Sequence, residues 1–130
     1  MILMHVDFAF CLIFNNFVTA EIVLSNINTG EIDIVIAKDV ENSKRFSYID
    51  NQANNCEMNI YEDGLCLFRQ TNEYLLELNL TNKSYAKMIS KEGEFKFDIK
   101  IIDFHVNNDI LVMRYKIDDE EREIKVIFRS

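Results

Sequence analysis

Apolar and polar residues alternate with a period of two along most of the chain from Glu21 onward. This alternation is typical of β-strands that bury one face. Hardly any ten-residue stretch shows the apolar period of a helix, so we expect little helix beyond a short turn near residues 51–55. Turn-forming residues recur about every eight to twelve residues, as in antiparallel sandwiches and barrels. The pattern predicts an all-β domain of about eight to ten antiparallel strands in up-and-down order.

Five short loops predict how neighbouring strands pair, because a two-residue loop sets the register of a β-hairpin. The loops are predicted at Asp63-Gly64, Thr71-Asn72, Glu92-Gly93, Asn108-Asp109 and Asp119-Glu120. Apolar residues then face apolar residues almost throughout; the predicted pairs include Ile60 with Leu67, Leu67 with Leu76, Met88 with Phe97, Phe104 with Met113, and Met113 with Val126. The apolar parity changes at Ile101-Ile102, which predicts a β-bulge there.

The opposite face of the predicted strands is polar, and this excludes an outer-membrane barrel, whose outer face must be apolar. The outward residues are Glu57, Asn59, Glu73, Glu77, Asn79, Glu94, Lys96, Asp98, Arg114, Lys116, Glu123 and Lys125. A meander whose inner face is apolar throughout closes most simply into a barrel, which removes exposed strand edges. A two-sheet sandwich is the alternative.

The first twenty residues differ from the rest of the chain. They contain an apolar run, Phe8–Phe14, but no Lys or Arg, so they lack the positive start of a secretory signal peptide. The run is also too short for a membrane-spanning helix. We expect residues 1–20 to be an apolar leader or an extra strand, with export as the less favoured alternative, and residues 21–130 to form a single domain.

Composition narrows the classes of partner. The 130 residues include 14 Lys+Arg and 22 Asp+Glu, which gives a net charge of −8. A nucleic-acid-binding protein needs a positive surface, so no nucleic-acid partner is expected. Membrane insertion is not expected either.

The three cysteines indicate a reducing compartment, because they are odd in number and lack zinc-site spacing. Cys56 and Cys66 flank the first predicted hairpin on opposite faces, beyond the reach of a disulfide. We therefore predict free thiols and a cytoplasmic location.

Three segments resemble the YwiB-like proteins, a family of small bacterial domains of unknown function. Cys56–Arg69 looks like the central hairpin of the family, and Gly93–Ile99 is similar to its glycine-led strand. Ile110–Ile117 followed by Ile124–Phe128 resembles its closing hairpin, and order and spacing match from about residue 21 to residue 129. The resemblance implies a lipocalin-like (calycin-like) β-barrel. It implies no activity, since none is established for the family.

One charged residue, Arg69, falls on the predicted inner face, opposite Met58 and Tyr74. An unpaired guanidinium is costly to bury, so it must meet a carboxylate, an aromatic ring, water at the mouth or an anionic ligand. A position at the open rim, with the stem on Tyr74 and the head in water, is the simplest interpretation. The other inner-face residues that could line a pocket are Met58, Tyr48 and Tyr115.

The functional hypothesis follows from this inner face. We expect a small apolar or amphipathic ligand inside the barrel, anchored by Arg69 and lined by Tyr74, Met58, Tyr115 and Tyr48. The alternative is a filled barrel that acts as a protein-interaction module, with an unknown partner. No catalytic constellation, cofactor motif or metal site is recognisable, and Asp103 with His105 lacks further ligands. The sequence therefore predicts a protein that is not an enzyme.

Overall fold

A computed structural model describes residues 18–130 of the protein. These residues form eleven β-strands: β1 (Val18–Asn26), β2 (Ile32–Val40), β3 (Arg45–Ile49), β4 (Asn55–Tyr61), β5 (Gly64–Gln70), β6 (Tyr74–Leu80), β7 (Tyr85–Ser90), β8 (Gly93–Phe97), β9 (Ile99–Asn107), β10 (Ile110–Ile117) and β11 (Glu120–Arg129). No helix occurs in this part of the chain, and none of it could form a helical membrane span. The predicted all-β class is confirmed. Residues 1–17, which include Cys11 and most of the expected leader, lie outside the described residues.

The strands pair into two antiparallel sheets. Sheet A has the order β2-β1-β11-β10-β9, and sheet B has the order β3-β4-β5-β6-β7-β8. Consecutive strands therefore pair with each other, except β2 with β3 and β8 with β9, which lie in different sheets. In addition, the first strand β1 pairs with the last strand β11. The up-and-down order is as predicted, and the hydrogen-bonded pairing stops at both sheet boundaries.

The hairpin registers agree with the prediction at one loop and differ at four. The loop at Asn108-Asp109 is where it was predicted, with Leu111 opposite Val106 and a register shift beside Ile101 that confirms the bulge. The other four loops lie one residue away from their predicted places, so each pairing is shifted by two residues. The observed partners are Ile60 with Leu65, Leu67 with Leu78, Met88 with Phe95, and Met113 with Ile124.

Local backbone chemistry explains these shifts. Gly64 and Gly93 do not occupy the loops but follow them, with φ of +158° and +128°, as the first residues of β5 and β8. At the last hairpin both Asp118 and Asp119 have positive φ, which a type I′ turn requires of its two central residues. After β5, Thr71 Oγ1 accepts hydrogen bonds from the backbone of Glu73 and Tyr74 and moves the loop one residue later.

A shift of two residues leaves each side chain on the same face, so the predicted inner face is largely preserved. Met58, Leu65, Ile124 and Met113 are almost fully buried, in a core that draws on both sheets. Phe46 of β3 and Phe128 of β11 meet edge to face across that core, with ring centroids 6.0 Å apart. Phe95 differs from the prediction: its register places it inward, yet it is 48% exposed because β8 is the edge of sheet B.

Candidate functional site

Arg69 occupies one row of cross-strand neighbours on the inner face of sheet B. Its partners are Cys56 on β4 and Leu76 on β6, and Cys56 in turn faces Tyr48 on β3. The cross-strand partners predicted for Arg69, Met58 and Tyr74, are therefore wrong, although the side chains of Arg69 and Tyr74 still interact. Met58 lies in the next row, opposite Leu67.

Asp50 is the carboxylate that Arg69 meets. Arg69 Nε lies 3.3 Å from Asp50 Oδ2, and the two side chains are 25% and 5% exposed. Asp50 directly follows β3 and accepts hydrogen bonds from the backbone N–H of Gln52 and of Asn54, both at 2.9 Å, and from Asn54 Nδ2 at 3.3 Å. This loop holds the carboxylate in place independently of Arg69. A contact with a carboxylate was one of the four environments expected for Arg69.

Burial and hydrogen bonding act in opposite directions on these groups. Burial alone would raise the pKa of Asp50, but the donors of Asn54 and Gln52, together with Arg69, hold that pKa below its ordinary value. Burial alone would lower the pKa of Arg69, and interactions with Cys56, Asp50 and Tyr74 raise it instead. Burial, followed by the charge of Asp50, raises the pKa of the Cys56 thiol. The structure therefore favours a charged Asp50–Arg69 pair beside a neutral thiol.

A cavity of about 470 Å³ opens at this end of the molecule. Its wall is apolar at Leu24, Ile32, Leu67, Leu76, Leu78 and Ile124, which come from both sheets. Polar groups line the rest; they are Ser25, Asn26, Glu31, Asp33, Asp50, Asn51, Gln52, Arg69, Tyr115, Arg122 and Glu123. A hollow with one apolar wall and a polar rim suits a molecule that has an apolar and a polar part.

Arg122 is a second arginine of the cavity, and it comes from sheet A. It lies on β11 directly opposite Tyr115 on one side and Asn26 on the other. Its side chain pairs with Glu120, with Nε 2.9 Å from Oε1. Burial raises the pKa of Tyr115 to about 12, and the charges of Arg122 and Arg69 act on that pKa in the opposite direction.

The five predicted site residues do not all meet. Arg69 and Tyr115 line the cavity. Tyr48 is buried in the same row as Arg69 but borders a different hollow, on the outer side of sheet B. Met58 is fully buried in the core, and Tyr74 is half-buried at the start of β6, opposite Ser90.

Sequence reasoning missed Asp50 and Arg122. Asp50 opens the turn-forming cluster at residues 50–55, where an Asp that accepts backbone hydrogen bonds from the next residues is a common turn signal. Arg122 has the same parity as Ile124, Val126 and Phe128, so its inward position could have been found from the alternation alone. The misplaced last hairpin put Ile124 rather than Arg122 opposite Tyr115, so the row of Arg122 could not be predicted.

The other reactive side chains of the described region form no recognisable constellation. Cys56 and Cys66 are free thiols, as predicted, and both are buried. Asp103 and His105 contact each other at 3.1 Å on the exposed surface, and within residues 18–130 no group of three or more His, Cys, Asp or Glu is arranged to hold a metal ion.

Comparisons with known proteins give one structural match. No protein-family model matches the chain, and no curated protein matches it. Among solved structures, the crystal structure of the YwiB protein from Bacillus subtilis covers 90% of this chain and 96% of its own, with a TM-score of 0.43 and 9% sequence identity. A likeness at that level carries no argument about function.

Proposed function

We propose that this protein binds a small amphipathic molecule in the cavity lined by Arg69 and Tyr115. The volume of about 470 Å³ lies within the range of small-molecule sites, which is about 300–1,000 Å³. The observation that carries the proposal is the position of Arg69. Its side chain lines the cavity next to the apolar wall and is 25% exposed, while its Nε pairs with Asp50 at 3.3 Å. A guanidinium that is held in place and still accessible from a cavity can bind the anionic group of a ligand.

The polar part of the ligand is an anionic group in this proposal. Asp50 is held by Gln52 and Asn54, so a ligand need not displace it in order to reach Arg69. The Arg122–Glu120 pair, in contrast, is solvent-exposed, and such pairs contribute little. An anion between Arg69 and Arg122 would therefore replace a weak interaction and complete a partly satisfied one.

We propose further that the two sheets form one lipocalin-like container. Three features support this. The strand order runs up and down through both sheets, and only Asp98 separates β8 from β9. At the other boundary β2 contacts β3, and Asn51 Nδ2 donates hydrogen bonds to Ile34 O at 2.9 Å and to Asp33 Oδ1 at 2.7 Å.

A displacement assay tests the binding function. An environment-sensitive apolar dye is titrated into the full chain and then competed with dodecanoate. We expect saturable binding at one site, and about tenfold weaker competition by dodecanoate in Arg69→Met, equivalent to about 1.4 kcal/mol. The matched control is Arg45→Met, which removes an arginine whose side chain is 72% exposed and which pairs with Glu57 on β4. The proposal fails if the dye does not saturate, or if Arg69→Met and Arg45→Met behave alike.

The alternative function is a protein-interaction module. What favours it is the row of Ile32, Ile34 and Ile36 on the edge strand β2, which are 65%, 50% and 46% exposed. An exposed apolar edge strand is suited to pairing with a second copy of the chain. Analytical sedimentation of the wild type and of Ile34→Lys tests this alternative. It requires that the wild type is a dimer and that the substitution dissociates the dimer.

The cellular setting is part of the same proposal. We infer a cytoplasmic protein that binds its ligand without transforming it. The free thiols of Cys56 and Cys66 favour a reducing compartment.

A further inference from the structure

The row of inner-face residues that contains Arg69 changes character along its length. From Arg69 it continues through Leu76 on β6 and Met88 on β7 to Phe95 on β8, each directly opposite the next. Leu76 and Met88 are half-buried, and Phe95 is 48% exposed. An inward-facing phenylalanine that remains half-exposed is an apolar surface without a full protein cover. From Arg69 to Phe95 the row therefore passes from a charged side chain to an open apolar one.

Sheet A shows the same gradient in the same direction. Its corresponding row runs from Arg122 on β11 through Tyr115 on β10 to Ile101 on β9. Arg69 and Arg122 line the same cavity, so the charged residues of the two rows lie at one hollow. The apolar residues at the far side of each row lie on β8 and β9, which follow each other along the chain but do not pair.

We infer that the ligand is a single-chain amphiphile of medium length, whose tail crosses the strands from Arg69 to Phe95. This inference rests on the proposed function, because it takes the anionic group to lie at Arg69 and Arg122. Three strand spacings of about 4.8 Å separate Arg69 from Phe95, so the tail path is about 14 Å long. An extended alkyl chain advances about 1.25 Å per carbon, given a C–C bond of about 1.52 Å. The path therefore matches the length of about eleven carbons; the cavity provides its first part as far as Leu76, and the incompletely covered side chains of Met88 and Phe95 provide the rest.

A series of straight-chain fatty acids tests the tail path, with hexanoate, octanoate, decanoate, dodecanoate, tetradecanoate and hexadecanoate as the probes. Each competes with the apolar dye on the full chain, below the concentration at which it forms micelles. We expect affinity to rise about twofold to fourfold per added methylene, which corresponds to partial or complete burial of each group. The rise should end near dodecanoate, because further carbons extend past Phe95 into water.

Phe95→Ser provides the residue-level test, and Phe68→Ser on the outer face of β5 is its matched control. Phe95→Ser should weaken dodecanoate about tenfold while leaving hexanoate unchanged, since a short tail does not reach β8. Phe95→Leu, which keeps an apolar surface, should retain most of the dodecanoate affinity. Thermal denaturation of each variant verifies that it is folded.

The outcomes separate this inference from the function on which it rests. If no fatty acid displaces the dye, the proposed function is overturned and the tail path with it. If fatty acids bind and require Arg69, but affinity continues to rise through hexadecanoate or ignores Phe95→Ser, only the tail path is refuted.

Discussion

Asp50 and Arg69 form one ion pair, yet we expect the two side chains to contribute unequally to stability. Asp50 Oδ1 accepts hydrogen bonds from the backbone N–H groups of Gln52 and Asn54, and Oδ2 faces Asn54 Nδ2, Arg69 Nε and the Cys56 thiol. Asp50→Asn keeps the shape, but its NH₂ group must face other donors, and Arg69 loses its counter-charge. Breaking a buried ion pair on one side costs about 3–5 kcal/mol. Because Arg69 is 25% exposed, we expect about 3 kcal/mol, near the lower end of that range.

Arg69→Met should destabilise the fold less than Asp50→Asn does. Methionine retains the apolar stem that packs in the row with Leu76, and Asp50 keeps its three donors from the loop. The loss is then that of a partly exposed guanidinium with its interactions with Asp50, Cys56 and Tyr74, which we place at about 1 kcal/mol. The two variants should differ by about 2 kcal/mol, which is about 8 °C in melting temperature for a domain of this size.

Urea unfolding measures the free energy of unfolding of both variants. It is followed by circular dichroism and by tyrosine fluorescence, because the chain has no tryptophan. The same experiment at low pH checks the charge of Asp50. A carboxyl group whose pKa is lowered in the fold stabilises it above its unfolded pKa of about 3.9, and that stabilisation is lost as the pH falls through the lower native value. The penalty of Asp50→Asn should therefore shrink on acidification below about pH 4. Equal penalties for the two variants at pH 7, or a penalty for Asp50→Asn that ignores pH, would refute this reasoning.

Two further predictions concern the packing of the fold. Gly64→Ala should destabilise the fold by about 4 kcal/mol or more, because the new Cβ would lie 1.8 Å from the backbone oxygen of Leu80. Thermal melting measures this loss. Gly30→Ala is the control, because its Cβ meets nothing within 4 Å and only the strain of positive φ remains. In a Cys11→Ser background, Cys56 and Cys66 should react with a disulfide reagent at pH 8 only as fast as the protein unfolds. Both thiols are buried, and burial raises the pKa of each. Rapid reaction of the native protein would contradict their burial.

The face of each strand could be predicted from the sequence, because it depends only on whether a position is odd or even. Four of the five hairpin loops were predicted one residue away from where they lie, and the inner face was nevertheless correct at Met58, Leu65, Leu67 and Met113. A glycine after an acidic residue is compatible with the second position of a loop and also with the first position of the next strand. Gly64 and Gly93 take the second option. The predicted loops at Thr71-Asn72 and Asp119-Glu120 contain no glycine and were also misplaced: Thr71 Oγ1 accepts hydrogen bonds from the backbone of Glu73 and Tyr74, and Asp118 and Asp119 form the last turn. Of the five predicted loops, the one at Asn108-Asp109 was predicted correctly.

The site depends on which residues lie directly opposite each other on neighbouring strands. A two-residue shift keeps the face of each side chain but changes these cross-strand partners. Two residues span about 6.6 Å along a strand, which is one row of inward side chains. The predicted register put Arg69 opposite Met58, in the row of fully buried apolar residues where a guanidinium would have no counter-charge. In the observed register it lies opposite Cys56 on β4 and Leu76 on β6, within reach of Asp50. The same shift at the last hairpin brings Arg122 opposite Tyr115 and so adds a second arginine to the cavity. A buried charge that fits poorly in its predicted row is thus itself a signal that the loop has been misplaced, because the register that satisfies the charge is also the one that assembles the site.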